Sequence, residues 1–333
     1  MIVEPPYLLF LGDAPDQLAA KTANGIAYWR RDWCVGQLRL PDCQADLGLL
    51  DLTLEQARKA GAKTLVIGVA NRGGVVSPLW LQTLLQGLDL GLDLASGLHR
   101  RLTAIPELAD RAAARGRRLI DVRHPDQAFP VATGARRSGH RLLTVGTDCS
   151  VGKMFTALAL ERELQHRGIR ATFRATGQTG IFIAGGGVSV DAVVADFIAG
   201  AAEWLAPANE DDHWDLVEGQ GSLFHASYAG VALGLLHGAQ AECLVLCHEP
   251  GRPHLRGLPG YALPALDECI HLNEQHGRLT CPACRVIGLA LNTSALTAAE
   301  ADRAVARAEG ETGLPAVDPC RHGVARLVEA MPL

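Results

Sequence analysis

The stretch that most constrains this chain is Leu142-Leu143-Thr144-Val145-Gly146-Thr147-Asp148-Cys149-Ser150-Val151-Gly152-Lys153-Met154, followed by an apolar-periodic run from Phe155 to Leu164. A short run of β-formers, a turn with glycine at both ends and a helical pattern predict strand, loop and helix, with Lys153 near the helix start. Such a loop turns its backbone N–H groups inward, while the free N–H groups of the following helix and the lysine ammonium add positive potential. Gly146, Thr147, Asp148, Cys149, Ser150, Val151, Gly152, Lys153 and Met154 thus form a candidate phosphate cradle and cofactor-binding loop. Two departures narrow its chemistry. Five residues rather than the usual four separate Gly146 from Gly152, and Met154 stands where the common motif has the Ser or Thr that ligates magnesium. Thr156 does not replace it, because two positions along a helix rotate a side chain by about 200°.

At 333 residues the chain predicts two domains, each able to bury a core. With 48% apolar and 20% charged residues it is no disordered chain, and the composition fits a buried, mostly parallel sheet. A net charge of −5, with no basic run beyond pairs such as Arg136-Arg137, leaves no electrostatic footprint for nucleic acid or an anionic membrane. Small molecules are the expected partners, and a homo-oligomer is compatible with the composition. No apolar stretch approaches the roughly 20 residues of a transmembrane helix, and the start carries Glu4, Pro5 and Pro6 in place of a basic leader, so a cytoplasmic protein is expected. Nine scattered cysteines read as reduced thiols. Cys281-Pro-Ala-Cys284, with Cys269, His271 and His276 upstream, offers zinc-type ligands, but the spacing matches no standard ribbon or finger; no metal is expected.

Strands and helices alternate along the first part. Tyr7 to Leu11 reads as a strand, Ala14 to Trp29 as a helix, Thr64 to Val69 as a strand and Pro78 to Leu88 as a helix. Leu92 to Ser96 is a strand, Ala104 to Arg115 a helix and Arg118 to Val122 a strand. This pattern predicts a doubly wound parallel sheet in an N-terminal domain over 1–136. It carries no G-x-G-x-x-G, so a dinucleotide is not indicated, although the Gly73-Gly74 loop at a strand end could contact a ligand or simply turn. A proline-bearing, aperiodic stretch from His124 to His140 marks the boundary. The second domain, 137–333, is read as a P-loop α/β/α layer structure. Its further strands are Ala171 to Arg174, His213 to Glu218, Cys243 to Cys247 and Val286 to Leu291, with a helix over Val190 to Leu205. Each strand ends in a polar or glycine-rich loop, and in an open parallel sheet those ends gather along one edge, the active-site candidate.

With these segments assembled, the chain resembles the D-glutamate N-acetyltransferase family over nearly its whole length. The resemblance rests on VGTDCSVGKM, FRATGQTGI, VDAVVADFIAGAAE, HWDLVEGQGSLFH and LCHEPGR, with VANRGG and SGLHRRL in the N-terminal part. Ala226 and Phe155 depart from the family pattern, where proline follows FH and threonine or tyrosine follows GKM. A more distant similarity, confined to the loop and the Val217-Glu218-Gly219 strand end, is to dethiobiotin synthetase, which uses magnesium and ATP. The family implies a Rossmann-like N-terminal domain, acetyl-coenzyme A as donor, D-glutamate as acceptor and N-acetyl-D-glutamate as product. A phosphate cradle lacking the magnesium-ligating hydroxyl suits coenzyme A and handicaps a nucleotide hydrolase. The alternative is an ATP- and magnesium-dependent ligase or kinase of dethiobiotin synthetase type; a third reading is a nucleotide-gated regulatory protein.

Amide formation from a thioester needs a neutral amine, a donor to the developing oxyanion and a proton for the departing thiolate. Glu218, His225 and His248 are the titratable groups at loop ends, and His225 is favoured as base, with Lys153 in the cradle and Glu218 in the Walker B position as its charge partner. Arg174, Arg252 and Arg256 are candidates for the substrate carboxylates, because a guanidinium pairs bidentately. Gln178, Gln220 and Ser222 complete the expected substrate contacts. Cys149 could accept an acetyl group if its pKa were lowered, but a packed thiol is the commoner fate of such a cysteine.

Overall fold

The computed structural model describes residues 2–69, 75–125 and 127–333. It divides into two compact units, Met1–Gln127 with Gly177–Ala192, and Ala128–Thr176 with Val193–Leu333. The boundary read from the sequence lies after residue 136, whereas the first unit ends at Gln127 and takes in a later segment. Packing explains both differences. Phe129 is buried edge-on against Trp204, with ring centroids 5.6 Å apart, and Thr133 donates to Glu203, so 128–139 belongs with the second unit. Gly177–Ala192 belongs with the first, where Phe182 accepts from the Tyr7 hydroxyl at 3.2 Å and Gly185 from the Val3 N–H at 2.9 Å.

The first unit holds a five-stranded parallel sheet of β1 (Tyr7–Gly12), β2 (Cys34–Arg39), β3 (Thr64–Ile67), β4 (Asp93–Ser96) and β5 (Leu119–Asp121), in the order β2-β1-β3-β4-β5. That order is the flavodoxin-like variant of the doubly wound, Rossmann-like plan. The inner strand β1, Tyr-Leu-Leu-Phe-Leu-Gly, is buried along its whole length, as a parallel strand covered on both faces must be. Its helices include α1 (Lys21–Trp29), α2 (Leu54–Lys59), α3 (Pro78–Asp89) and α4 (Pro106–Arg115). The helix expected from Ala14 begins only at Lys21, because Asp16 accepts from the Ala19 N–H at 2.7 Å and folds the preceding residues into turns. The Gly73-Gly74 loop lies outside the described residues.

The second unit holds six parallel strands in the order β11-β10-β9-β6-β8-β7. They are β6 (His140–Gly146), β7 (Ala171–Arg174), β8 (Trp214–Val217), β9 (Cys243–His248), β10 (Arg285–Leu291) and β11 (Ala316–Val317). The chain runs from β6 to the far edge at β7, returns through β8 and then crosses to β9 on the other side of β6. Strand order therefore reverses at β6, and the crevice outside the carboxyl ends at such a point is where ligands bind. The organising loop leaves β6 there and enters α5 (Lys153–His166). Leu143, Leu244, Leu246, Val286 and Leu289 form the core under α8 (Ala229–Ala239) and α9 (Leu266–Gly277). The helix expected over 190–205 is two 3₁₀ turns followed by α7 (Ile198–Leu205), since Val194 adopts an extended conformation between them.

Arg137 ties this unit together. Its guanidinium donates to the carbonyls of Glu203 at 3.0 Å and Ala206 at the end of α7, and of Gly238 at 2.6 Å and Ala239 at 3.1 Å at the end of α8. These are carbonyls that a helix end leaves without intrahelical partners. Burial pulls the guanidinium down to about 10. Arg137→Met should cost about 2–4 kcal/mol in denaturant unfolding, because several buried acceptors lose their donor at once. A change below about 0.5 kcal/mol, the range of ordinary surface substitutions, would show that the helix ends do not depend on it.

Candidate active site

Local backbone geometry makes the cradle. The Thr147 N–H donates to the Cys247 carbonyl at 3.1 Å, pinning the start of the loop to β9. Ser150 (φ 56°) and Gly152 (φ 104°) then take left-handed conformations that turn the chain into α5. Gly152 caps that helix without a side-chain hydrogen bond, so no side chain competes for its first N–H groups. Lys153 folds back and donates from Nζ to the Asp148 carbonyl at 2.7 Å. Burial pulls its ammonium below the usual lysine range, against the fields of Cys247, Cys149, Asp148 and Glu218. Past β8, a Cβ on Gly219 would collide with the Thr144 carbonyl oxygen and stand 3.0 Å from Lys153 Cδ, so only glycine lets this strand end pass so close to the lysine.

Asp148 is the hub. Its carboxylate is wholly buried and accepts from the Cys149 N–H at 2.6 Å, the Arg252 guanidinium at 2.5 Å and the Arg256 N–H at 2.8 Å. Arg252 also donates to the Cys149 carbonyl at 2.7 Å and pairs with Glu249. Thus Arg252, expected on a substrate carboxylate, is engaged by the loop itself. Arg256 contributes its backbone here, and its guanidinium pairs with no carboxylate among the described residues. Its charge acts on Cys149, whose thiol burial pushes up, Lys153 pulls down and Asp148 raises. The net direction is upward, toward an unreactive thiol.

His225 is only 2% exposed, and both ring nitrogens are committed to backbone. Nε2 donates to the Arg256 carbonyl at 3.0 Å, and Nδ1 accepts from the Ser227 N–H at 3.2 Å. The favoured base thus has no free lone pair in this geometry; it clamps the loop that carries Arg256. Glu218 accepts from the Thr176 N–H at 2.9 Å and sits close enough to favour the charged form of Lys153. Gln220 donates to the Thr176 hydroxyl at 3.1 Å, and the Ser222 hydroxyl to the Thr147 carbonyl at 3.1 Å.

The fold therefore gathers residues 146–154 with Glu218, Gln220, Ser222, His225, Arg252 and Arg256. Arg174 stands apart, paired at 2.8 Å with the buried Asp215 near the start of β8. Gln178 opens the short helix Gln178–Ala184 in the first unit, packed beside Gly97. Sequence reasoning passed over two features of the second unit. The Thr147 hydroxyl and His248 Nδ1 are hydrogen-bonded at 3.1 Å, and a cleft of about 790 Å³ opens beside them, lined by His248, Arg252, Leu266, Leu291, Arg303 and Arg307. Arg303 and Arg307, one turn apart on α10 (Ala298–Thr312), were the available signal.

Asp148, Cys149 and His225 bring potential metal ligands within 4.8 Å of one another. The donor set does not fit a cation. The carboxylate already faces a guanidinium, and the imidazole lacks a free nitrogen. Cys269, Cys281 and Cys284 do not converge with histidines on a ligand set among the described residues. Burial pushes the thiols of Cys269 and Cys284 up to about 12. No described helix is long and apolar enough to cross a membrane.

Residues 130–328 match the P-loop domain, and residues 40–125 the Rossmann-like domain, of a family described as a domain of unknown function, DUF1611. The chain belongs to the DUF1611 family. The family's P-loop domain begins near Ala128, where the second compact unit starts. A DUF1611 family protein from Anabaena variabilis, known as a crystal structure, is 33% identical with a TM-score of 0.84, covering 98% of this chain and 99% of that one. A D-glutamate N-acetyltransferase of Tritonibacter scottomollicae is 58% identical over 330 residues, 99% of each chain. Another, from a Pseudoalteromonas species, is 47% identical over 328 residues, 98% of this chain and 99% of that one.

The ion pair at the hub lends itself to a double-mutant cycle. Asp148→Asn, Arg252→Met and the double variant should give a coupling energy above about 1.5 kcal/mol in denaturant unfolding, because Arg252→Met leaves the buried Asp148 carboxylate without its cation, a loss that Asp148→Asn removes. A coupling below about 0.5 kcal/mol would mean that the two groups act independently.

Proposed function

We infer that this protein is a D-glutamate N-acetyltransferase that takes its acetyl group from acetyl-coenzyme A. The carrying observation is a full-length relationship, 58% and 47% identical, to two enzymes of that name, joined to a phosphate loop that has Met154 in the magnesium-ligand position. The coenzyme's pyrophosphate would rest on the N–H groups of 150–153 at the head of α5, with Lys153 and Arg256 supplying positive charge. Neither role requires a metal. Bound phosphate would also replace the Asp148 carbonyl as the partner of Lys153 and favour the ammonium that burial now disfavours. The donor's acetyl end is free to reach the loop ends of β8 and β9, where the chemistry takes place.

Two measurements test this reading. Coenzyme A in the presence of EDTA should raise the melting temperature, with Lys153→Ala losing most of the shift; stabilisation by magnesium-ATP with turnover, and none by coenzyme A, would favour a ligase or kinase. Thiol release from acetyl-coenzyme A should be much faster with D-glutamate than with L-glutamate, since a pocket that fixes two carboxylates presents the nitrogen of one enantiomer only. Equal rates with the two enantiomers would contradict D-glutamate as the acceptor.

A further inference from the structure

We propose that the cleft at the carboxyl ends of β9 and β10 is the acceptor subsite, built for an amino dicarboxylate, and that His248 on its wall is the general base. The inference rests on the acetyltransferase reading and assigns the half of the reaction that the phosphate loop does not.

The cleft and the loop share their wall. His248 ends β9 and lines the cleft, while its Nδ1 is hydrogen-bonded at 3.1 Å to the hydroxyl of Thr147 in the loop. Arg252 lines the same cleft and donates to the carbonyl of Cys149. A thioester held on the loop and an amine held in the cleft therefore meet beside this imidazole. In the tautomer that donates Nδ1–H to Thr147, Nε2 keeps its lone pair, and it has no protein partner among the described residues. His225 offers the contrast, with both nitrogens bound to backbone.

The lining carries charge of both signs, as an amino dicarboxylate needs, with Arg252, Arg303 and Arg307 among Asp267, Glu300 and Glu311. Arg303 and Arg307 project from successive turns of α10. Arg303 pairs with no carboxylate among the described residues, and Arg307 only with Glu311, at 2.6 Å, a residue that itself lines the cleft. A guanidinium one turn from another can take the two ends of a short dicarboxylate. Leu263, Leu266 and Leu291 supply the apolar floor for the methylene chain between them.

The proton balance is simple. The acceptor ammonium gives one proton to Nε2, and the neutral nitrogen attacks the thioester carbonyl carbon, forming the C–N bond. The C–S bond breaks, one proton passes to the departing sulfur, and one is released to solvent. Imidazole must be neutral to begin. Burial holds His248 below the usual histidine range; Glu249 and Glu311 oppose that shift, and Arg252 reinforces it. The base is thus ready at neutral pH, and its activity is lost only as pH falls through its lowered pKa.

The test uses the full chain, acetyl-coenzyme A and D-glutamate, with thiol release as the readout. His248→Asn, which keeps a group at the Nδ1 position for Thr147, should lose at least about 100-fold in kcat, keep both KM values within about threefold and keep the coenzyme A thermal shift. The acid limb of the kcat profile should disappear with it. Arg303→Met should raise the D-glutamate KM about tenfold and leave that of acetyl-coenzyme A unchanged. A kcat within about threefold of the parent in His248→Asn overturns the base, and an unchanged D-glutamate KM in Arg303→Met overturns the subsite. A parent enzyme that releases no thiol with D-glutamate defeats the acetyltransferase reading itself. If His248→Asn does not fold, diethyl pyrocarbonate on the parent protein decides. D-Glutamate should protect both His248, mapped by mass spectrometry, and activity; full activity with His248 modified overturns the base.

Discussion

A carboxylate with no access to water holds the phosphate loop in shape. Asp148 sits inside the loop, and its oxygens take a guanidinium and two backbone N–H groups, one from its own turn and one from Arg256 on the loop beyond β9. An ionised carboxylate buried without partners would cost several kcal/mol, so the loop and the 249–256 segment are ordered together or not at all. Everything else at the site follows from that tie. Arg252 is withdrawn from substrate binding, the Arg256 backbone is fixed, and His225 closes the ring by donating to the Arg256 carbonyl. These ties come from the chain's own groups, and a loop held by its own protein reduces the ordering cost of binding.

Much of this was legible in the residues. Strand, glycine-bounded loop and helix were readable because the backbone demand is local: a left-handed turn at Gly152, an apolar strand before it and periodic residues after it. Strands β1, β3, β9 and β10 are readable as nearly continuous apolar runs, the mark of strands buried on both faces, and β4, β6 and β8 as shorter apolar stretches beside a polar residue. Strand β2 did not, since an edge strand with Gly36, Gln37 and Arg39 has no such run, and α2 is a six-residue helix identified chiefly by its Thr53–Gln56 capping box. The compact unit to which Gly177–Ala192 belongs was equally unreadable, because it is decided by contacts to Val3 and Tyr7, far away in sequence.

At the site the limits are similar. Motif spacing located the loop, the Glu218 strand end and the polar segment after β9. It could not say that Arg252 would be consumed by a carboxylate 104 positions earlier, or that Arg174 would turn to Asp215 on the neighbouring strand. A guanidinium's role depends on which acceptor reaches it first, and that is a property of the fold. Composition offered no help, because a buried cation and a substrate anchor are the same residue type.

The two histidines make the same point more sharply. His225 lies in the loop after β8 and His248 ends β9, and nothing local to either separates a base from a clamp. Their hydrogen bonds do. When both nitrogens of an imidazole are spent on main-chain groups, as in His225, neither is left for a substrate and the group serves geometry. When one nitrogen is oriented by a hydroxyl and the residue lines a cleft, the ring is aimed and still free to exchange a proton. Burial then sets the direction of the pKa, and for His248 it favours the neutral ring that a base requires. Division of labour between the two follows from where their lone pairs go, with the buried ring fixing the loop against which the other can act.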